Sequence, residues 1–168
     1  MNRLVFVCDA HRCSGCLACI TACQDQHDLP EAIALRQVSR RERGPYPARI
    51  TFCSSTCRHC GEAACLDACP AGAISRHSAT GAVIADAQQC TGCGSCAAAC
   101  PFEVPQFDAN GRMLKCDGCH VRLENGLDPA CVHTCTTGAL RFEITGRGLG
   151  TGPSEEHHDP PTSPTTGR

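Results

Sequence analysis

Tryptophan is absent, tyrosine occurs once and phenylalanine five times, so aromatic residues make up only 4% of the 168-residue chain. Aromatic rings supply much of the buried area of an ordinary core, and a chain this poor in them has a thin one for its length. Long apolar runs are missing too. The stretch from Leu4 to Cys8 is short of a signal-peptide core and has no small-residue cleavage site after it. Nothing approaches the ~20 apolar residues that cross a bilayer, so no direct membrane insertion is expected. A strong charge excess is also lacking: the formal net charge is −2, which gives no basis for binding nucleic acid. These absences predict a cytoplasmic chain made in a reducing compartment, with export alongside a signal-bearing partner left open.

Cysteine is what the chain has instead. There are eighteen, more than a tenth of all residues, and sixteen fall into four groups. These are Cys13, Cys16, Cys19 and Cys23; Cys57, Cys60, Cys65 and Cys69; Cys90, Cys93, Cys96 and Cys100; and Cys116, Cys119, Cys131 and Cys135. Disulfides do not suit a reducing compartment. Structural zinc usually takes two C-x2-C pairs set ~15 to 20 residues apart, whereas in the first and third groups the later cysteines follow at once. The third group reads C-x2-C-x2-C-x3-C-P, the bacterial ferredoxin run in which three thiolates hold one 4Fe-4S cluster and the fourth ligates a neighbour. Two-residue spacers curl the backbone so that three sulfurs point at one centre. Four clusters with their thiolates bring the net charge to roughly −10.

Along the chain, Leu4 to Cys8 reads as a strand entering the first group, and Ala18 to Ala22 can begin a helix. Glu31 to Arg43 fits either a helix or a strand followed by a turn at Gly44-Pro45, with Arg36, Arg40, Arg41 and Arg43 as a basic cluster. A solvated face is the plain reading of that cluster, and docking of an acidic partner the sharper one. The second group has a widened spacer, CGEAAC, which points to a more exposed cluster, and it holds His59 as a surface or supporting side chain rather than a ligand. AGAIS and AVIA read as a hairpin about Ala79-Thr80-Gly81. CVHTCTTGALRF repeats the pattern of CLDACPAGAIS. Cys8 and Cys53, outside the groups, read as buried small hydrophobes. From Gly146 the composition turns to Gly, Pro, Ser and Thr, which predicts a flexible tail over 146–168 and a solvated His157-His158. Gly148, Gly150 and Gly152 lack the strand and helix a nucleotide loop needs. Cys53, Cys57 and Cys60 mimic a radical S-adenosylmethionine motif in a chain too short for that barrel.

With the groups placed, residues 3 to 143 resemble the four-cluster electron-transfer subunits of molybdenum and tungsten enzymes, the iron-sulfur subunits of dimethyl sulfoxide reductase, formate dehydrogenase and tungsten aldehyde oxidoreductase. The most specific piece is KCDGCHVRLENGLDPACVHTC, with Lys115, Gly126, Pro129 and Ala130 matching beside the ligands; HCGEAACLDACPAGAI and CTGCGSCAAACPFEVPQF match too. The resemblance implies four 4Fe-4S clusters with exchanged ligands. Cys13, Cys16, Cys19 and Cys135 would hold one, Cys116, Cys119, Cys131 and Cys23 its neighbour, Cys57, Cys60, Cys65 and Cys100 a third, and Cys90, Cys93, Cys96 and Cys69 the fourth. It implies an α+β fold of two bacterial-ferredoxin-like modules. The inner one, 53–105, is inserted into a discontinuous outer one, 1–52 and 106–145.

The function implied is that of a non-catalytic subunit wiring a molybdo- or tungstopterin catalytic subunit, of formate dehydrogenase or aldehyde oxidoreductase type, to a second redox subunit carrying flavin or another acceptor or donor. No catalytic residue is expected. A free polyferredoxin, a zinc-stapled interaction protein and self-association into a longer wire are the alternatives. Lys115, beside Cys116, is either an ordinary surface lysine or a tuner of cluster potential.

Overall fold

The structure is a computed structural model and describes residues 2–45 and 47–146. The described residues form eight short strands and five short helices, a mixed α and β arrangement in which each sheet among them has two strands. The expected flexible tail, the glycine string at 148–152 and His157-His158 lie outside the described residues.

Strand β1 (Arg3–Cys8) pairs antiparallel with β8 (Leu140–Thr145), Phe6 opposite Phe142, so the two ends of the described chain form one ribbon. Within the 31–43 segment, residues 36–43 form a strand after a turn at 31–32. β2 (Arg36–Arg43) and β3 (Arg49–Thr56) form a hairpin, Arg36 opposite Thr56 and Arg43 opposite Arg49. The helical alternative gives way to a strand whose register turns Arg36 and Val38 inward while Arg40 to Arg43 stay in water. β4 (Ile74–Arg76) and β5 (Val83–Ala85) make the expected hairpin, and β6 (Gln106–Phe107) pairs with β7 (Met113–Leu114). Helix α1 (Ala18–Gln26) starts where Ala18 to Ala22 indicated, and α2 (Ala64–Asp67), α3 (Ser95–Ala99), α4 (His120–Glu124) and α5 (Ala130–His133) each begin inside or beside a cysteine group.

The cores are small, and cysteines belong to them. Ala63, Ile74, Val83, Cys96 and Met113 pack together with Phe107, Cys60, Cys65, Cys69 and Cys90. Phe107 and Met113 come from the segment that sequence reading gave to the outer module. Cys19, Cys131 and Leu140 pack with Phe6, Val38, Val132 and Cys135, bringing the first and last cysteine groups together. Cys23, Ile33 and Leu35 form a third nucleus.

Candidate metal centres

The local part of each centre is set by backbone conformation. The residue two places after the first cysteine of every group has positive φ: Gly15 at 71°, His59 at 44°, Gly92 at 70° and Gly118 at 73°. That left-handed step turns the chain around the sulfurs, and three groups use glycine, for which it carries no steric cost. His59 is the exception and is held by its surroundings. It is completely buried, its Nδ1 accepts the Val83 N–H at 3.0 Å, and burial, reinforced by the Lys115 charge, lowers its pKa to about 3. The surface alternative for His59 is therefore corrected: a neutral ring supports the β4–β5 hairpin.

The distant part of each centre comes from packing. Cys13, Cys16, Cys19 and Cys135 line one cavity, closed by Leu17, Val38 and Leu140. Cys57, Cys60 and Cys65 line a second with Cys100, beside Val83 and Phe102. Cys90, Cys93 and Cys96 line a third with Cys69, beside Ile74, Phe107 and Met113. Cys23 is buried among Cys116, Cys131 and Cys119, and burial together with those neighbours pushes its thiol up to about 12. In each of the three cavities three cysteines of one group are joined by the last cysteine of another, and Cys23 lies near cysteines of the fourth group.

This donor set fits 4Fe-4S clusters. The donors are soft thiolates in fours, with no carboxylate lining the first or third cavity. Burial pushes the thiols of Cys23 and Cys119 up to about 12 and those of Cys116, Cys131, Cys57 and Cys65 upward as well. A thiolate in such a place needs positive charge. Two buried cations help to supply it, and sequence reading missed the first and left the second undecided.

Arg36, assigned to a solvated face, is only 2% exposed. Its Nη1 donates to Ser54 Oγ at 2.9 Å, and its guanidinium lies 5.1 Å from the centre of the Phe6 ring. Ser54 Oγ is in turn 3.4 Å from Cys19 Sγ, while Arg36 also lowers the thiol pKa values of Cys131, Cys116 and Cys23. Lys115 is 6% exposed, which corrects the surface alternative. Its ammonium donates to the carbonyls of Val83 and Cys116 and opposes the upward shift at Cys57, Cys65 and Cys116. In the periodic pattern neither residue differs from an exposed base; the only signal was the position of Lys115 beside a ligand.

The widened spacer of the second group leaves Gly61, Glu62 and Ala64 exposed and its four cysteines half-buried. Arg76 Nη2 donates to the carbonyls of Cys60 and Gly61 at 2.6 and 2.7 Å. The fully exposed cysteines are Cys16 and Cys93, in the first and third groups. Cys8 and Cys53 are half-buried rather than fully buried, and Cys8 Sγ accepts the Ser54 N–H at 3.1 Å. Neither lines any of the three cysteine cavities.

Comparison with known proteins agrees with this chemistry. Residues 48–145 match the 4Fe-4S dicluster domain and residues 10–26 a 4Fe-4S binding domain. The protein is 37% identical over 153 residues to the B subunit of the anaerobic dimethyl sulfoxide reductase of Haemophilus influenzae, covering 84% of this sequence and 74% of that one. It is 36% identical over 147 residues to YnfG of Escherichia coli, a probable anaerobic dimethyl sulfoxide reductase subunit, covering 82% and 71%. Protein NrfC of Escherichia coli is 38% identical over 144 residues, covering 83% of this sequence and 65% of NrfC. No helix among the described residues is long and apolar enough to cross a membrane. A protein with this arrangement of thiols and these relatives belongs to the 4Fe-4S dicluster family, together with the B subunits of the anaerobic dimethyl sulfoxide reductases, and is an iron-sulfur electron-transfer protein with 4Fe-4S clusters as its cofactors.

Proposed function

We propose that the chain is the non-catalytic electron-transfer subunit of a molybdo- or tungstopterin oxidoreductase and carries four 4Fe-4S clusters in the exchanged ligand sets named above. The observation that carries this reading is that the last cysteine of each group, Cys23, Cys69, Cys100 or Cys135, lies with three sulfurs of another group. Each cluster, when bound, takes up and gives back one electron. The protein's part is to hold the sulfurs, keep water away and set the local charge.

Exposure supports an order along the wire. Cys16 and Cys93 reach solvent, whereas Cys23, Cys116, Cys119 and Cys131 are each less than a tenth exposed. The first and third groups thus sit at the two ends, where electrons enter and leave, and the second and fourth lie between them. Lys115 faces Cys57, Cys65 and Cys116, as a cation between the two inner centres would. The nested modules, 53–105 within 1–52 and 106–145, follow from the same exchange. The β6–β7 hairpin extends the inner unit's core through Phe107 and Met113.

Names of the relatives favour a catalytic partner of the dimethyl sulfoxide reductase type over the formate dehydrogenase or aldehyde oxidoreductase type. Iron and acid-labile sulfide on protein purified without oxygen test the centres: about 16 of each per chain are expected, and about eight would leave only one module loaded. Molybdenum or tungsten co-purifying with the native chain tests the partner. A chain that always runs alone and free of both metals overturns the subunit reading and leaves a free polyferredoxin.

A further inference from the structure

We propose that His77, His120 and Glu124 form a binding site for a divalent cation of the zinc class, separate from the cysteine centres. The three side chains come from two distant segments. His77 follows β4, while His120 and Glu124 are the first and last residues of α4, four apart and therefore on one face of the helix. One ligand atom from each lies within 4.8 Å of the others. His77 Nε2 and Glu124 Oε1 are 2.9 Å apart, and the two imidazole rings lie 4.9 Å centre to centre, tilted by 30°. Donors at ~2.0 to 2.1 Å from a tetrahedral zinc ion are about 3.3 Å apart, so small side-chain rotations bring all three onto one ion.

Two details favour an ion over a plain hydrogen-bonded cluster. His77 Nδ1 lies 3.0 Å from Thr80 Oγ1, itself in a residue only 4% exposed. An Nδ1–H donated there leaves Nε2 with its lone pair towards the site, the arrangement by which metal-binding histidines are commonly oriented. His120 Nδ1 is buried with no hydrogen-bond partner among the described residues. A buried imidazole nitrogen left so has given up its solvation without a replacement partner, a loss that coordination would offset. Asp117 Oδ2, 3.9 Å from His120 Nε2, adds negative charge at the rim.

The donor set selects the metal. Two imidazoles and one carboxylate suit zinc and its transition-metal neighbours better than magnesium or calcium, which prefer oxygen alone. Three protein ligands leave a fourth position for water or another ligand, and Glu124, half exposed, borders a groove lined by Thr80, Leu123, Leu127 and Phe142. A bound ion cross-links the β4–β5 hairpin to α4. The neighbouring trio of His27, Asp117 and Cys119 is not a second such site, because Cys119 belongs to a cysteine centre.

The test is equilibrium dialysis of the cluster-loaded protein, without oxygen, against micromolar zinc, with zinc and iron measured in the same samples. One zinc per chain is expected at unchanged iron, and Glu124→Gln and His77→Gln should each weaken binding at least tenfold. Thr80→Val should weaken it by about tenfold through the orientation of His77. Absence of stoichiometric zinc, zinc gained only as iron is lost, or binding indifferent to the substitutions would overturn the site. If His77→Gln fails to load iron, the exposed Glu124→Gln decides.

Discussion

Replacing Lys115 by methionine removes one buried positive charge while nearly preserving the volume of the side chain. The ammonium is within hydrogen-bond reach of the Cys116 carbonyl, and its charge is felt at Cys57, Cys65 and Cys116. At about 7 Å and an effective dielectric constant near 20, a unit charge contributes roughly 2.4 kcal/mol, equivalent to about 100 mV for one electron. An electron entering a cluster near a cation is stabilised, so its loss makes reduction harder. Lys115→Met should therefore lower the potentials of two clusters by roughly 50–150 mV and leave the other two within about 20 mV. The assay is a redox titration followed by electron paramagnetic resonance on protein whose iron content equals that of the wild type. Val83 and Cys116 also lose a buried donor, a stability cost of about 1–3 kcal/mol, so thermal denaturation is measured in parallel. Unchanged or raised potentials at full iron content would refute the reasoning, because the charge would then be screened or distant.

Other expectations are independent of that one. Cys8→Ala and Cys53→Ala should each retain full iron, since neither sulfur lines a cysteine cavity, whereas Cys69→Ala should lose about four irons although the remaining sulfurs of its own group are untouched. Iron analysis separates the two outcomes, and equal loss in all three variants would contradict the grouping. Gly81→Ala should accelerate iron loss in denaturant strongly, because φ is +72° and the added Cβ would lie 2.0 Å from the Asn2 carbonyl oxygen. Gly72→Ala, at φ +61° with open space around it, should show only the backbone strain of about 1–2 kcal/mol. Similar rates for these two would remove the argument that the β4–β5 turn must approach the N-terminal strand. Oxidative removal of iron in the presence of a chelator should abolish most far-ultraviolet circular dichroism, since cysteines occupy all three cores. A spectrum unchanged after removal would show that the thin cores suffice.

The thiol count, the two-residue spacers and the left-handed steps at Gly15, Gly92 and Gly118 are local properties, and the spacers and glycines could be read without any fold. The β4–β5 hairpin and the strand entering the first group were equally plain, because apolar runs bounded by turn residues leave few choices. The 31–43 segment was ambiguous. Its one decisive contact, Val38 against the core of the first and last groups, joins residues far apart in the chain.

What sequence alone determined is the chemistry: soft donors in fours, at spacings that suit an iron-sulfur cube, in a chain too poor in aromatic residues to rely on an ordinary core. Tertiary structure decided which distant segments pack around those sulfurs, and where the charges lie. Arg36 and Lys115 look like surface bases in the linear pattern, yet packing buries both beside thiols, and it brings His77 against His120 and Glu124. The difference is physical. Backbone geometry over a few residues controls the direction of nearby side chains, whereas burial and charge depend on segments that meet only when the chain is folded.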